Sequence, residues 1–327
     1  GNIDKNTSPF LIGQYIKTTL LPNNPEDAIR PANAPNPDLR WEKTQSANIG
    51  MDISLWDEIL SLSVDYYYRK GTDLIGLRML PLESGYSSTT VNWASMKNEG
   101  VEVALTTRNL RTKHFSWFTN LNFGFNKNTV LRETVAENAT RPSREGYPVG
   151  AIFAYKTAGL DDEGYPLFLN RDGQKVTATE FLKLNNAGAS TLSAEEQRNL
   201  YSYIGSNEPK VSGGFMNTLK YKKLTLGVNC IFNFGMYVQT TPTYDPTNYD
   251  RGLNSNRDIL YRWTPENTGA SLPKLMTRND GRTGEYLRYT EQNLYRELDI
   301  WVKKQNYFRF ESIRLGYELP EKWLKPI

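Results

Sequence analysis

An all-β fold, part of an antiparallel transmembrane β-barrel, is the fold class the sequence predicts, and three observations predict it. Residues 115–126 put Phe115, Trp117, Leu121, Phe123 and Phe125 on odd positions, and Ser116, Asn120, Asn122, Gly124 and Asn126 on even ones. Successive strand side chains point to opposite faces, so one face is bulky and apolar and the other small and polar. This alternation occurs in seven segments, and the connections between them are by turns very short and very long. Alternation alone suits a soluble sheet with one wet face and a barrel with lipid outside and water within.

The seven strands are expected at about 42–55, 59–71, 98–108, 115–127, 210–221, 224–235 and 307–319. In the first, Ala47, Ile49, Met51, Ile53 and Leu55 alternate with Asn48, Gly50, Asp52 and Ser54. In the second, Leu60, Leu62, Val64, Tyr66 and Tyr68 alternate with Ser61, Ser63, Asp65, Tyr67 and Arg69. In the third, Val101, Val103 and Leu105 oppose Gly100, Glu102 and Ala104. The fifth is weaker, with Val211, Phe215, Leu219 and Tyr221 on one face. In the sixth, Leu224, Leu226, Val228, Cys230, Phe232 and Phe234 oppose Thr225, Gly227, Asn229 and Asn233. In the seventh, Ile313, Leu315, Tyr317 and Leu319 oppose Ser312, Arg314, Gly316 and Glu318.

The polar faces favour the barrel. Asp65, Arg69, Glu102 and Arg314 are costly in a dry interior and suit a wide, wet lumen. Ile49, Ile53, Leu62, Val64, Val103, Trp117, Leu121, Phe123, Leu226, Val228, Phe232 and Leu315 are expected to face lipid, and Asn120, Asn122 and Asn126 to line water. Phe115, Trp117, Tyr221 and Tyr317 near the short turns, and Tyr66, Tyr68, Phe125 and Phe234 near the long loops, read as two interfacial girdles. Enrichment of aromatics in strands is the plain alternative.

Residues 56–58, 109–114 and 222–223 are the short turns, and about 1–40, 72–97, 128–209 and 236–306 the long loops. Compact soluble domains rarely carry such loops. Short turns on the periplasmic side and long loops outside is the outer-membrane layout. Within the loops, Ser193-Ala194-Glu195-Glu196 is a capping-box pattern that predicts a helix to about Tyr203. Asn256–Trp263 and Thr179–Leu184 are further helical candidates. Pro22, Pro25, Pro31, Pro35 and Pro37 mark 22–38 as an extended surface loop.

Composition excludes several functions. With 39 basic and 36 acidic residues the net charge is +3, no argument for nucleic acid or an anionic membrane surface. A mean hydropathy of −0.60 is low for a well-filled soluble core. One cysteine, Cys230, rules out an internal disulfide framework and a Cys-based zinc site. One histidine, His114, argues against His-centred catalysis. No apolar run approaches the roughly 20 residues of a membrane helix, which a barrel does not need. Gly1-Asn2-Ile3-Asp4 lacks a signal-peptide pattern and Lys325-Pro326-Ile327 follows no closing strand, so both termini read as cuts.

Asp161-Asp162-Glu163-Gly164 and Asn170-Arg171-Asp172-Gly173 lack calcium-hand spacing and read as turns. Adjacent carboxylates on a turn do not make a glycosidase pair. No catalytic residue, metal or cofactor is expected.

Several phrases also resemble one family. Asn36–Thr44 followed by Asn48-Ile49-Gly50, then Val64–Ile75 and Asn98–Glu102, resemble barrel strands of the SusC/RagA-type TonB-dependent transporters of the Bacteroidetes. Glu145–Gly150 and Arg262–Asn267 are similar to the family's loop signatures, and Phe308–Pro320 to its strand near the C-terminus. The resemblance implies a bacterial outer-membrane location and part of a presumed 22-stranded barrel, with the N-terminal plug and TonB box outside this chain. It implies active import of oligosaccharides or peptides, without enzymatic chemistry. Its expected partners are a SusD-like lipoprotein over the long loops, TonB, the remainder of the barrel and outer-membrane lipid. Trp93, Tyr155, Tyr165, Tyr244 and Tyr249 are then candidates to stack on sugar rings or grip peptide side chains, with packing inside the loops as the alternative. The alternative at this scale is a passive or adhesive outer-membrane barrel, or a soluble β-rich carbohydrate-binding protein.

Overall fold

The computed structural model describes residues 12–320 apart from 22–23, 81, 87 and 292. Pro22 and both chain ends lie outside the described residues.

A hairpin of β1 (Ile12–Leu21) and β2 (Asn24–Asn33) precedes the wall. β3 (Lys43–Leu55), β4 (Leu60–Met79), β5 (Ser88–Arg111) and β6 (Phe115–Arg132) follow. Next come the short strands β7 (Ala151–Ala154), β8 (Thr157–Leu160), β9 (Pro166–Leu169), β10 (Lys175–Val176) and β11 (Ser202–Ser206). The wall resumes with β12 (Val211–Tyr221) and β13 (Leu224–Phe234), and after β14 (Tyr237–Gln239) and β15 (Val302–Lys304) ends with β16 (Tyr307–Tyr317). The seven wall strands form one antiparallel up-and-down sheet in the order β16-β13-β12-β6-β5-β4-β3.

The register aligns the apolar positions across the whole sheet. One row runs Ile53, Leu62, Leu105, Leu121, Phe215, Cys230 and Phe310, and the next Met51, Val64, Val103, Phe123, Gly213, Phe232 and Phe308. The opposite face carries Gly50, Asp65, Glu102, Gly124, Ser212, Asn233 and Tyr307 in one row. A one-residue slip on any strand would exchange its two faces, so the pattern pins the register.

Several expectations need correction. Residues 72–97 are mostly strand: β4 and β5 pair from Gly71↔Met96 out to Met79↔Ser88. Bulges between Gly71 and Leu74 and between Leu74 and Ile75 shift the phase there, which breaks the alternation without ending the pairing. β6 likewise continues past the expected loop start to Arg132, with a shift where Ser95 meets it. Residues 24–33 are a strand and not an extended loop. Pro25 and Pro31 are tolerated because the two-stranded ribbon leaves one edge of β2 without a strand partner among the described residues. The helix opened by Ser193 is α2 (Ala194–Arg198), far shorter than expected, because Ser202–Ser206 pairs with β7. The helix expected over Thr179–Leu184 is α1 (Ala178–Leu182), capped by Thr177, and it stops where Lys183 turns left-handed at φ 47°. Arg257–Tyr261 is a 3-10 turn. A nine-residue helix, α3 (Thr283–Glu291), lies where no helix is expected.

The two longest loops, 133–210 and 235–306, fold on each other into one cap. Tyr155, Phe168, Phe181 and Leu182 of the first pack with Tyr244, Met276, Tyr289, Leu294, Tyr295 and Trp301 of the second in a single aromatic core. The backbone ties them as well, since Tyr155 N–H donates to Glu297 O at 2.8 Å and Asp299 N–H to Tyr155 O at 3.0 Å.

Candidate functional site

The site has three parts: the apolar face of the wall, its polar face, and the mouth under the cap. All twelve candidate lipid-contacting residues fall on one face of the sheet. Ile49 and Leu315, on the edge strands, are 74% and 72% exposed. Trp117 is partly exposed, and Ile53, Leu62, Val64, Val103, Leu121, Phe123, Leu226, Val228 and Phe232 are half-buried by their cross-strand neighbours. Cys230 is on the same face, fully buried between Phe215 and Phe310. A bulge between the Asn229 and Cys230 pairings leaves Glu311 unpaired on β16, so Phe308 and Phe310 share a face with Ile313 and Leu315 despite the change of parity.

Near the short-turn end this face carries one polar chain. Thr107 Oγ1 donates to Asn109 Oδ1 at 2.8 Å, and Asn109 Nδ2 to Thr119 Oγ1 at 2.7 Å. Asn217 Oδ1 then accepts from Thr119 Oγ1 at 2.7 Å and from Trp117 Nε1 at 2.9 Å. Mutual pairing lowers the cost of polar groups beside an apolar solvent.

On the polar face, long side chains lie across small ones. Tyr67 OH donates to Asn126 Oδ1 at 2.9 Å, with Gly100 beneath the ring and the Arg69 guanidinium 5.7 Å from its centre. Ser63 Oγ donates to Asp65 Oδ2 at 3.4 Å and Thr106 Oγ1 to Asn120 Oδ1 at 2.9 Å. This face pairs its polar groups and leaves them partly open.

At the mouth, the structure separates the five candidate aromatics. Tyr155, Tyr165 and Tyr244 are at most 2% exposed and build the cap's core, so in this structure packing takes up their ring faces. Aromatic rings in a long loop look alike in sequence whether they pack inward or face solvent. Tyr155 stacks on Tyr201 at 4.1 Å, and burial pushes its hydroxyl up to about 12. Tyr165 donates to Asp280 Oδ2 at 2.8 Å under the Arg282 guanidinium, 4.2 Å from its ring centre. Tyr244 meets Tyr295 edge-on. Tyr249 is 68% exposed on the cap. Trp93 is the extra residue of a bulge in β5, its indole lying over Gly76.

Trp93 lines a crevice of about 920 Å³ with Arg78, Glu133, Glu137, Arg141 and Arg144. Sequence reasoning missed these charged residues, because isolated arginines and glutamates in a loop carry no pattern. Glu133 takes Arg144 Nε at 3.0 Å and Arg144 N–H at 2.6 Å. Burial acts to raise the Glu133 pKa, but the Arg144 contacts outweigh it and hold the carboxyl below its ordinary value. Arg141 borders both this crevice and a smaller hollow of about 190 Å³, and donates to Glu297 Oε1 at 3.2 Å. Tyr201 OH donates to the other Glu297 oxygen at 2.9 Å, so the crevice wall is tied to the cap.

The acid–glycine motifs are turns in the structure. Asp161 Oδ1 accepts from the N–H groups of Glu163 and Tyr165, while Oδ2 takes Arg282 Nη1 at 2.8 Å. Asn170 Oδ1 accepts from the N–H groups of Asp172 and Gln174. Gly164, at φ 83°, leaves room for the Trp263 ring, which packs against it.

Known proteins share this arrangement. Residues 9–169 match the family described as TonB dependent receptor-like, beta-barrel. TonB-dependent receptor P3 of Formosa agariphila is 27% identical over 88% of this chain, and P39 of the same organism 32% identical over 90%. TonB-dependent receptor SusC of Bacteroides thetaiotaomicron is 24% identical over 88%. The chain spans 28%, 31% and 27% of these relatives' lengths. The RagAB peptide importer in its open-open state superposes with a TM-score of 0.72 at 22% identity, over 99% of this chain and 33% of that one. At such identity the likeness concerns the fold.

Proposed function

From a chain that belongs to the TonB-dependent receptors of the SusC and RagA type, proteins of the bacterial outer membrane, we propose that it forms part of the barrel wall and outer mouth of an active importer. The observation that carries this reading is the continuous apolar face across seven strands, backed by a polar face and topped at one end by a folded cap. Lipid covers the first face, water and cargo the second. Ile49, Ile53, Leu62, Val64, Val103, Trp117, Leu121, Phe123, Leu226, Val228, Phe232 and Leu315 meet lipid in this reading.

The edges of β3 and β16 support a larger closed wall. Their outward N–H and C=O groups have no strand partner among the described residues. Unpaired backbone does not stand in hydrocarbon, so further strands of the same barrel cover both edges. Energy reaches the pore through TonB acting on a part of the receptor outside this chain, and a SusD-like lipoprotein closes over the cap. The work is transport, with no bond made or broken in the cargo.

The cargo class is oligosaccharide or peptide. RagAB is described as a peptide transporter, and the mixed crevice of Trp93 with arginines and glutamates suits the polar, partly charged surface of either class. The test is growth of a strain lacking the intact gene on single glycans and single peptides. Loss of growth on at least one, together with wild-type uptake of that compound abolished by a protonophore, supports active import. Unchanged growth on all of them sinks it, and uptake indifferent to the protonophore favours a passive barrel.

A further inference from the structure

The lipid-side face of the wall changes character within one side-chain step at its long-loop end. Tyr68 is followed on that face by Lys70, Val101 by Glu99 and then Lys97, and Phe125 by Lys127. No register shift intervenes between these positions and the apolar rows below, so the charges point the same way as the apolar residues. We propose that Lys70, Lys97 and Lys127 form a binding site for a phosphate-bearing lipid headgroup of the outer leaflet. The inference rests on the outer-membrane assignment and not on import.

Three features of the patch carry it. The charge is unbalanced: Lys97 Nζ and Lys127 Nζ approach the same Glu99 oxygen, at 3.2 and 3.8 Å, and one carboxylate serves both. Lys70 stands directly opposite Lys97 and pairs with no acid among the described residues. Like charges facing across a ladder repel, and more strongly beside a low-dielectric medium. A phosphate between the strands removes that repulsion and gives each ammonium a charged acceptor.

Depth is the second feature. From Phe115 to Phe125 is ten residues, which at roughly 3.3 Å per residue and a tilt of about 40° is about 25 Å of height, the apolar band of an outer-membrane barrel. The lysines therefore begin where hydrocarbon ends and headgroups start. The third feature is accessibility. The Lys127 side chain is 64% exposed and open to a lipid lying against Phe125. Lys97, at 28%, is fixed by Glu99. The near-zero net charge of the chain conceals the patch, because acids elsewhere cancel it.

The test is native mass spectrometry of the full-length receptor in detergent, using lipid A with one phosphate and the same lipid A after phosphatase treatment. The phosphorylated lipid is expected to stay bound to wild type, and to fall about tenfold or more on the Lys70→Gln, Lys97→Gln, Lys127→Gln triple variant, with each lysine contributing near the membrane surface. The triple Lys→Arg variant is expected to retain it. Equal retention by wild type and the Gln variant overturns the site. So does equal binding of the dephosphorylated lipid, and displacement by millimolar inorganic phosphate alone would make it a free-anion site. Should the triple variant fail to fold, Lys127→Gln alone, at the most exposed of the lysines with a partner, must lower retention about threefold, and no change overturns the proposal.

Discussion

Gly100 has no room for a methyl group. A Cβ there would sit 2.5 Å from Tyr67 Oη and 2.3 Å from Phe125 O. Gly100→Ala is therefore expected to cost about 1–3 kcal/mol, as overpacking does, read as a lower temperature for loss of heat-resistant migration. Combining it with Tyr67→Ala removes both ring contacts, with Oη and with Cζ, and leaves only Phe125 O, so the double variant should be less destabilised than the two single effects summed. Trp93 tests the crevice. Trp93→Ala is expected to raise the half-saturating cargo concentration about two- to tenfold, the scale of one aromatic contact, measured by uptake at graded concentrations. An unchanged value would move cargo contact elsewhere in the mouth. Neither residue is legible alone. Gly100 reads in sequence as one more small polar-face position, and Trp93 as a loop aromatic like Tyr155, because only the bulge in β5 and the packing of the cap distinguish them.

At the scale of elements, capping chemistry was plain and lengths were not. Ser193 and Thr177 both make reciprocal boxes with the glutamate three residues on. Ser193→Ala is expected to cost about 1 kcal/mol, seen as faster hydrogen exchange in α2. α2 is stopped by a tertiary demand absent from the local pattern, the pairing of β11 with β7, and α1 by the left-handed turn at Lys183, a conformation that lysine does not announce in sequence. On α3, Glu285 is 2% exposed. Burial raises its pKa above the ordinary 4.5, against the opposing pull of Thr179 hydrogen bonds and Arg282, with Asp161 adding to the rise. The folded cap therefore holds this proton more tightly than the unfolded chain. Its contribution to stability is whole below pH 4.5 and is lost as pH climbs through the raised folded value. Glu285→Gln should flatten that fall, and thermal unfolding of the cap followed across this range in wild type and variant measures it. A parallel pair of profiles would exclude the group.

At the scale of the molecule, the seven-strand wall was legible because both faces of each strand answer to a solvent, and a two-residue period records that directly. Where bulges at Gly71 and Leu74 shift the phase, the period lapses and the outer hairpin of β4 and β5 reads in sequence as loop. The cap was illegible for a different reason. Its core joins segments far apart, as in Thr157 Oγ1 donating to Asp299 Oδ1 across 142 residues, and no local signal announces such a partner. Arg282 illustrates the dependence, since it holds Asp161 and Glu163 at 2.8 Å each from the opposite loop. Arg282→Ala should open the cap to protease under conditions where the wall stays intact, and cleavage within 157–176 before any cut in the wall strands would show it.

That joint construction also ties the cap to the wall. The two halves of the cap are separated by the β12–β13 hairpin and completed just before β16. Neither half holds the full aromatic core, so the cap needs both loops, and the hairpin between them sets how far apart the two begin. A chain in which β12 sat elsewhere in the sheet would part the two loops and leave the aromatic side chains of each unsheltered. The cap thus couples the packing of two distant loops to the place that the strands between them hold in the wall.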